Sequence, residues 1–257
     1  MTQRMVKKIH HVGIVVENLA RAYRFWRDAL GLPLLREAEI ADQGVRAALL
    51  AAGDGEIELL EPTDTQGGVA RFLAKRGEGL HHVCFETPNV EGMLADLKAG
   101  GVPVIDETPR AGLAGRIAFL HPTACASVLV ELATPPPAAE HPDSPVRFKR
   151  LVIGCRDPQE TAKSYQQLFS LPEVAVNDGP RSMLGWTGGG TLLMVPASEV
   201  GGTLGMAALS MVAPEMTALV QRLSKIDAMM FFGASEITLK PEAGNNVHLH
   251  ISRYHFP

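Results

Sequence analysis

The segment IHHVGIVVENLARAYRFWRDALG (residues 9–31) occurs twice in this chain, in two related versions. The second version, LHHVCFETPNVEGMLADLKAGG (residues 80–101), aligns with the first without gaps at an offset of 71 residues. Each version begins as an apolar strand, passes through a short turn and continues as an amphipathic helix that glycine ends. Such self-similarity indicates one structural unit that is used repeatedly.

Strand-like segments follow each of the two helices. VRAALLAA and EIELLEP come after the first helix, and RIAFLHP and SVLVELA come after the second. The repeated unit is therefore β-α-β-β-β, and two copies fill residues 9–134. A third copy, FKRLVIGCRDPQETAKSYQQLFSLP (residues 148–172), matches the first at an offset of 139 and places Tyr165 on Trp26. A fainter fourth copy runs from AALSMVAPEMTALVQRLSKID to NVHLHISRY.

A proline-rich stretch separates the two pairs of units. TPPPAAEHPDSP (residues 134–145) holds five prolines in twelve residues, which predicts a stiff, extended linker. We therefore expect an α+β protein in which paired βαβββ units form mixed, strongly curved sheets in two tandem domains. The predicted limits are 1–134 for the first domain, 135–146 for the linker and 147–257 for the second domain.

Composition narrows the class of protein. The 257 residues carry a net charge of −4 and a pI near 6.1, which argues against nucleic acid as a partner. We find no apolar run long enough to span a membrane and no apolar signal core at the start. Cys84, Cys125 and Cys155 form no CxxC pair, and we expect them to be reduced. These features predict a cytoplasmic protein.

The paired histidines provide the first candidate site. Because side chains alternate between the faces of a strand, His11 shares a face with Gly13, and His82 shares a face with Cys84. We expect His10 and His81 on the other face, as packing or supporting residues. A pseudo-two-fold axis between the equivalent units would bring His11 and His82 together across one cleft.

Carboxylates recur in the same way. EIELLEP places Glu56 and Glu58 on one face of its strand, and Glu131 is the only charge in SVLVELA. A buried carboxylate is costly unless it is paired or bound to metal. Single residues of these types are usually structural, as we expect for His121, but symmetric recurrence favours a site. His11, Glu58, His82 and Glu131 predict one divalent metal, with Co, Zn, Ni, Mn and Fe all compatible.

The motifs HHVGIVV, FWRDALGL, DQGVRAALL, EIELLEP, GEGLHHVCFE, GRIAFLHP and VLVEL resemble, in this order, those of methylmalonyl-CoA epimerases. Those enzymes belong to the vicinal-oxygen-chelate superfamily, whose members are built from paired βαβββ units. The resemblance covers residues 9–133. It implies the same metal ligands that the symmetry of the chain predicts: His11, Glu58, His82 and Glu131.

The resemblance implies a divalent-metal-dependent epimerase that removes the α-proton of a methylmalonyl-CoA-like substrate and stabilises the enolate at the metal. Glu131 is the candidate base, with water at the metal as the alternative. The implied partner is a small acyl-CoA or similar molecule, and the chain would be a monomer or a homodimer.

Three departures from the epimerase pattern concern the substrate. Some epimerases carry a second catalytic glutamate four residues after the glutamine of QGV, where this chain has Ala47; Glu37, Glu39 and Asp42 lie nearby. Thr123 replaces a lysine that could meet an anionic substrate. Such epimerases are also usually about half as long as this chain, the size of a single domain.

The second domain is predicted to have lost the metal site. Alignment places Arg150, Leu192, Ala208 and His250 where the four ligands stand in the first domain. The second domain would then complete the fold in the place that a second subunit takes in dimeric relatives. His248, His250 and His255 lie close together in the sequence, but no carboxylate partner for a second metal is evident.

Three other functions stay open. A glyoxalase I-like lyase uses the same ligand set, but Val15 stands where that enzyme has an arginine for glutathione. A ring-cleaving dioxygenase has four units but needs only two histidines and one glutamate for Fe(II). A non-catalytic, ligand-sequestering protein of the same fold binds its ligand without metal.

Overall fold

The first half of the chain forms one mixed sheet of eight strands in a computed structural model that describes residues 6–137, 142–175, 180–186 and 189–253. The strand order is β2-β3-β4-β1-β5-β8-β7-β6. The central pair, β1 and β5, is antiparallel, and each member has a parallel neighbour, β4 or β8. The two βαβββ units thus meet at their first strands. The strands are β1 Lys8–Val15, β2 Leu34–Ile40, β3 Val45–Ala52, β4 Gly55–Pro62, β5 Gly79–Glu86, β6 Arg110–Gly112, β7 Gly115–Leu120 and β8 Val130–Thr134.

Equivalent helices follow β1 and β5. Helix α1 (Leu19–Tyr23) continues as a π-helical segment (Arg24–Ala29), and helix α3 spans Val90–Ala99. The side chains of Asn18 and Asn89, which are related by the repeat, cap these two helices by accepting backbone N–H bonds. Sequence patterns did not indicate the helix between the two units, α2, which spans Gly68–Arg76.

The second half repeats this arrangement with the order β10-β11-β12-β9-β13-β16-β15-β14. Helix α4 (Pro158–Phe169) and helix α5 (Met216–Ser224) take the places of α1 and α3. The strands are β9 Arg147–Cys155, β10 Glu173–Val174, β11 Ser182–Trp186, β12 Gly190–Pro196, β13 Gly205–Val212, β14 Met230–Phe232, β15 Glu236–Leu239 and β16 Leu249–Ser252.

Alternation along the central strands separates a core from a cleft. Val12 and Ile14 of β1 are fully buried in a core that includes Trp26, on the side of the helices. Val15 of β1 and its partner Leu60 of β4 point to the opposite face of the sheet and belong to a separate apolar cluster there. The sheet therefore buries one face against its helices and turns the other face to the candidate site.

The two halves contact each other through equivalent places. The indole Nε1 of Trp26 donates to Oδ1 of Asn245 at 2.9 Å, and the hydroxyl of Tyr165 donates to the carbonyl oxygen of Cys125 at 3.0 Å. Trp26 and Tyr165 are the residues that the repeat aligns. In each domain, the aromatic side chain at this repeated position therefore donates a hydrogen bond to a loop of the other domain. The two subunits of a symmetric dimer contact each other in the same reciprocal way.

The predicted fold class and the tandem arrangement are confirmed. The predicted domain limits stay predictions, and residues 138–141 of the predicted linker lie outside the described residues. Among the described residues, no helix combines the length and the apolar character that crossing a bilayer requires.

Candidate metal centre

The centre of the first sheet places two candidate ligands around a glycine. Gly13 of β1 is paired with Glu58 of β4 on one side and with His82 of β5 on the other. A Cβ atom at Gly13 would lie 2.2 Å from the His82 ring, so only glycine leaves room for this imidazole. The glycine of HHVG thus has a function in the geometry of the site.

The other two candidate ligands are linked through Cys84. His11 of β1 is paired with Cys84 of β5, and Cys84 is paired with Glu131 of β8. Burial raises the pKa of the Cys84 thiol, and the Glu131 and Glu58 carboxylates raise it further. Cys84 is therefore a buried, protonated thiol beside the site.

The four predicted ligands converge on one point. Nε2 of His11 and Nε2 of His82 are 3.0 Å apart. Oε2 of Glu58 lies 3.5 Å and 3.4 Å from these two nitrogens, and Oε2 of Glu131 lies 3.8 Å and 3.3 Å from them. One ligand atom from each residue lies within 4.8 Å of the others, and all four side chains are buried.

Two β-bulges determine where the neighbouring histidines lie. Between β1 and β5 the register passes directly from Ile9 to His11, and from His82 to Leu80, so His10 and His81 are the extra residues. Their Nδ1 atoms lie 2.9 Å and 3.0 Å from Nδ1 of His11 and His82, respectively. The expectation that they face the other side was wrong, because strict alternation does not hold through a bulge.

These contacts assign the tautomers of the ligand rings. A histidine that binds metal through Nε2 must carry its proton on Nδ1. His11 and His82 then donate from Nδ1, and His10 and His81 accept on their own Nδ1. The acceptors must therefore be neutral. Burial, with smaller effects of the neighbouring His82 and Arg76, lowers the pKa of His81 to about 3, which keeps this ring neutral.

The electrostatics of the metal-free site favour a bound cation. Burial, with smaller effects of His82 and His10, lowers the pKa of His11 well below its ordinary value. Burial raises the pKa of Glu58 well above its ordinary value, and the Glu131 and Glu56 carboxylates raise it further. Two buried carboxyl groups that repel each other beside the His11 and His82 rings form an environment that a divalent cation would neutralise.

The donor set also fits a divalent metal sterically. Ligand atoms that are each about 2.1 Å from one ion lie roughly 3.0–3.4 Å from one another in octahedral or tetrahedral geometry. The nitrogen–nitrogen and nitrogen–oxygen distances given above, from 3.0 to 3.8 Å, fall at or slightly beyond this range. Imidazole and carboxylate donors are compatible with Zn, Co, Ni, Mn and Fe.

A cavity of about 850 Å³ opens onto this cluster. Glu58, His82 and Glu131 line it, so a ligand in the cavity would reach the cluster directly. Four cationic side chains also line the cavity, three of them on helix α2, which sequence patterns missed. They are Arg71, Lys75, Arg76 and Arg110.

The other candidate residues of the first domain lie outside the cluster. Ala47 is fully buried and paired with Leu60, and Glu37 is bound to Tyr23, whose hydroxyl donates to Oε2 of Glu37 at 2.6 Å. Thr123 lines the cavity, and His121 caps a short 3₁₀ turn. Of the three acidic residues near Ala47 in the sequence, Asp42 lines the cavity, whereas Glu37 and Glu39 do not.

The second sheet holds different residues at the four ligand positions. Its register places Arg150, Ala208 and His250 as predicted, but Leu193, and not Leu192, pairs with the residue equivalent to Gly13. Nδ1 of His250 is hydrogen-bonded to Thr238 at 3.0 Å. Within the described ranges, groups of three or more potential ligands occur only in the first sheet. His255 lies outside these ranges.

Comparisons with known proteins agree with the fold. A family model for the glyoxalase/bleomycin resistance protein/dioxygenase superfamily matches residues 10–119. The chain is 33% identical over 127 residues to the mitochondrial methylmalonyl-CoA epimerase of Bos taurus, covering 49% of this chain and 73% of that enzyme. The chain belongs to this superfamily.

Two further relatives each match about half of the chain. An uncharacterised protein of Bacillus subtilis (strain 168) is 37% identical over 131 residues, covering 51% of this chain and 94% of that protein. A solved structure of a Streptomyces coelicolor methylmalonyl-CoA epimerase variant, in complex with 2-nitronate-propionyl-CoA, is 38% identical. It covers 51% of this chain and 99% of that chain, with a TM-score of 0.50.

Proposed function

We propose that this chain is a divalent-metal-dependent epimerase that removes the α-proton of a methylmalonyl-CoA-like acyl thioester. The observation that supports the proposal is the convergence of two imidazoles and two carboxyl groups beside a cavity large enough for a substrate. Methylmalonyl-CoA epimerases among the relatives of the first domain support the choice of substrate class.

Each residue of the cluster has a role in this proposal. His11, His82, Glu58 and Glu131 would hold the metal. A divalent ion there would stabilise the negative charge that develops on the thioester oxygen when the α-proton leaves. Glu131 is buried at the cavity and would accept that proton.

The proton that returns must come from the other face of the substrate. Ala47 is buried and carries no proton donor, so this chain does not use the glutamate of some epimerases at that position. Another group of the cavity, or water that enters it, would deliver the proton.

The cationic side chains of the cavity suit the anionic part of an acyl-CoA. Arg71, Lys75 and Arg76 all come from helix α2, and arginine and lysine are the usual partners of phosphate groups. Lys75 and Arg76 lie in the last turn of that helix. We propose that these side chains bind the phosphates, while the metal cluster holds the acyl end.

The decisive experiment follows deuterium. Purified protein is analysed for bound metal and is then incubated with methylmalonyl-CoA in D₂O, and α-deuteration and inversion are measured by NMR. We expect exchange and inversion with about one metal per chain, and a loss of at least about a hundredfold for Glu131→Gln. Glu236→Gln in the second domain is the matched control and should retain full activity.

Two results would contradict this proposal. One is a metal-loaded protein that exchanges no deuterium into methylmalonyl-CoA. The other is turnover of a glutathione hemithioacetal by the same protein, which would identify a lyase. The buried Val15, at the place where that lyase has an arginine, argues against the second result.

A further inference from the structure

The first domain does not form the cavity alone. Thr203, Leu204 and Met206 belong to the second domain, and all three line the cavity that opens onto the metal cluster. Leu204 is 42% exposed although it is a large apolar residue, and Met206 is half-buried. An apolar side chain that faces a cavity in this way is available to contact a ligand.

This segment is held in place from both domains. Gly205 has φ +98°, and a Cβ atom there would lie 2.9 Å from the backbone oxygen of Ser127 in the first domain. On the other side, a Cβ atom at Gly154 would lie 2.1 Å from the backbone oxygen of Thr203. Both glycines permit backbones to approach closely, so Leu204 has a fixed position beside the first domain.

The neighbouring part of the first domain leads directly to the metal cluster. Ser127 and Leu129 line the same cavity, and Leu129 comes two residues before Glu131. The segment of the second domain that contacts Ser127 therefore lies beside the strand that carries the candidate base. It contributes Leu204 and Met206 as apolar side chains, whereas helix α2 contributes three cations together with Val69 and Phe72.

We infer that Leu204 and Met206 form an apolar wall that contacts the uncharged part of the acyl thioester, and that the second domain thereby contributes to substrate affinity and selectivity. The inference rests on the proposed function. The charged ends of the substrate have partners in the metal cluster and in the cations of α2. The neutral part between them suits apolar surface, to which the first domain contributes residues such as Phe119 and Leu129 and the second domain contributes Leu204 and Met206.

A single-cysteine labelling experiment tests this wall. The three native cysteines are buried, so Leu204→Cys introduces an accessible thiol at the wall. The full-length, metal-loaded variant is treated with N-ethylmaleimide with and without methylmalonyl-CoA. At a ligand concentration about ten times Kd, labelling should slow about tenfold, because only the free fraction reacts. Met229→Cys, at an exposed site outside the cavity lining, should label at the same rate with or without ligand.

A second measurement uses truncation. Met206→Ala should weaken methylmalonyl-CoA binding by about tenfold through lost apolar contact, and should leave the metal content unchanged. Met229→Ala is the matched control and should leave both quantities unchanged. Thioesters with longer acyl groups should lose less affinity than methylmalonyl-CoA in the Met206→Ala variant, because the truncation provides space.

The outcomes separate this inference from the proposed function. If the wild-type protein binds methylmalonyl-CoA in calorimetry but the ligand leaves labelling at position 204 unchanged, the wall is overturned and the proposed function stands. If the metal-loaded wild-type protein binds no methylmalonyl-CoA, the proposed function fails, and the wall fails with it. Protection of Leu204→Cys alone, with the Met229→Cys control unaffected, supports both.

Discussion

The two domains share a backbone plan and differ in the chemistry that it carries. Both central strand pairs contain two β-bulges; the extra residues are His10 and His81 in the first domain, and Lys149 and Ala207 in the second. The ligand positions of the first domain hold two histidines and two glutamates, whereas the second domain holds residues that cannot form such a set. In the second domain, these positions hold Arg150, Leu193, Ala208 and His250.

The loops before β8 and β16 also share their backbone conformation although their residues differ. Ala126 and Ser127 have φ values of +51° and +67°, and their equivalents Asn245 and Asn246 have φ values of +55° and +59°. Asparagine tolerates this left-handed conformation better than alanine or serine. The turn therefore depends on the fold rather than on particular residues, and the site depends on particular residues within a fold that both domains have.

The largest expected effect comes from removing a candidate ligand of the first domain, compared with removing the residue at a ligand position of the second domain. His82→Ala should lower metal affinity by more than a hundredfold and abolish activity, because a buried carboxylate pair then faces an incomplete donor set. His250→Ala, at the equivalent of Glu131 in the second domain, should retain the metal. Elemental analysis and circular dichroism check metal content and folding. Stoichiometric metal in folded His82→Ala would disprove the assigned site.

The bulge histidines should have the next largest effect. His81→Ala removes the acceptor of the His82 Nδ1 proton, and loss of such a partner typically costs about 10–100-fold in metal affinity. Titration with Co²⁺, followed by its visible spectrum, measures this loss. His121→Ala, at an exposed histidine, is the control. Equal affinities in these two variants would show that His81 does not position the ligand.

The pH dependence of metal binding separates the roles of the carboxylate and the imidazole. Because the pKa of Glu58 is raised, the metal-free site holds a proton at pH values below that pKa, and metal must displace it. Affinity should therefore fall about tenfold per pH unit as the pH decreases below this pKa. The lowered pKa of His11 means that this ring adds no second proton near neutral pH.

Calorimetry in buffers with different ionisation enthalpies measures the protons released when metal binds. At a pH below the pKa of Glu58, about one proton is expected in the wild-type protein, and fewer are expected for Glu58→Gln, which has no carboxyl proton at that position. If Glu58→Gln releases as many protons as the wild-type protein, the proton belongs to another group.

The smallest effect concerns the symmetric contacts between the domains. Trp26→Phe and Tyr165→Phe each remove one buried hydrogen bond to the opposite domain. Each should lower the free energy of unfolding by about 0.5–1.5 kcal/mol, the usual net contribution of one hydrogen bond. Urea unfolding measures both variants. A large loss for one variant and none for the other would show that the two contacts are not energetically equivalent.

Much of the fold could be predicted from the sequence because the repeat is strong in the first half. Alternating apolar residues and the offset of 71 residues predicted the units, and the strand order confirms the fold class. Helix α2 was missed although Val69, Phe72 and Leu73 have helical spacing, because glycines at both ends of GGVARFLAKRGEG are more typical of a loop. The predicted alignment of β12 with β4 was wrong by one residue, because GTLLMVP has apolar side chains on both faces of the strand and gives no alternation to follow.

The sequence by itself determined the βαβββ repeat, the tandem arrangement and the four residues proposed as ligands, because these follow from periodicity and from unusual polar residues in apolar strands. Only the tertiary structure decided where His10 and His81 lie, since a bulge breaks the alternation on which sequence reasoning depends. It also decided which cations and which part of the second domain line the cavity, because contacts between segments far apart in the chain leave no local pattern.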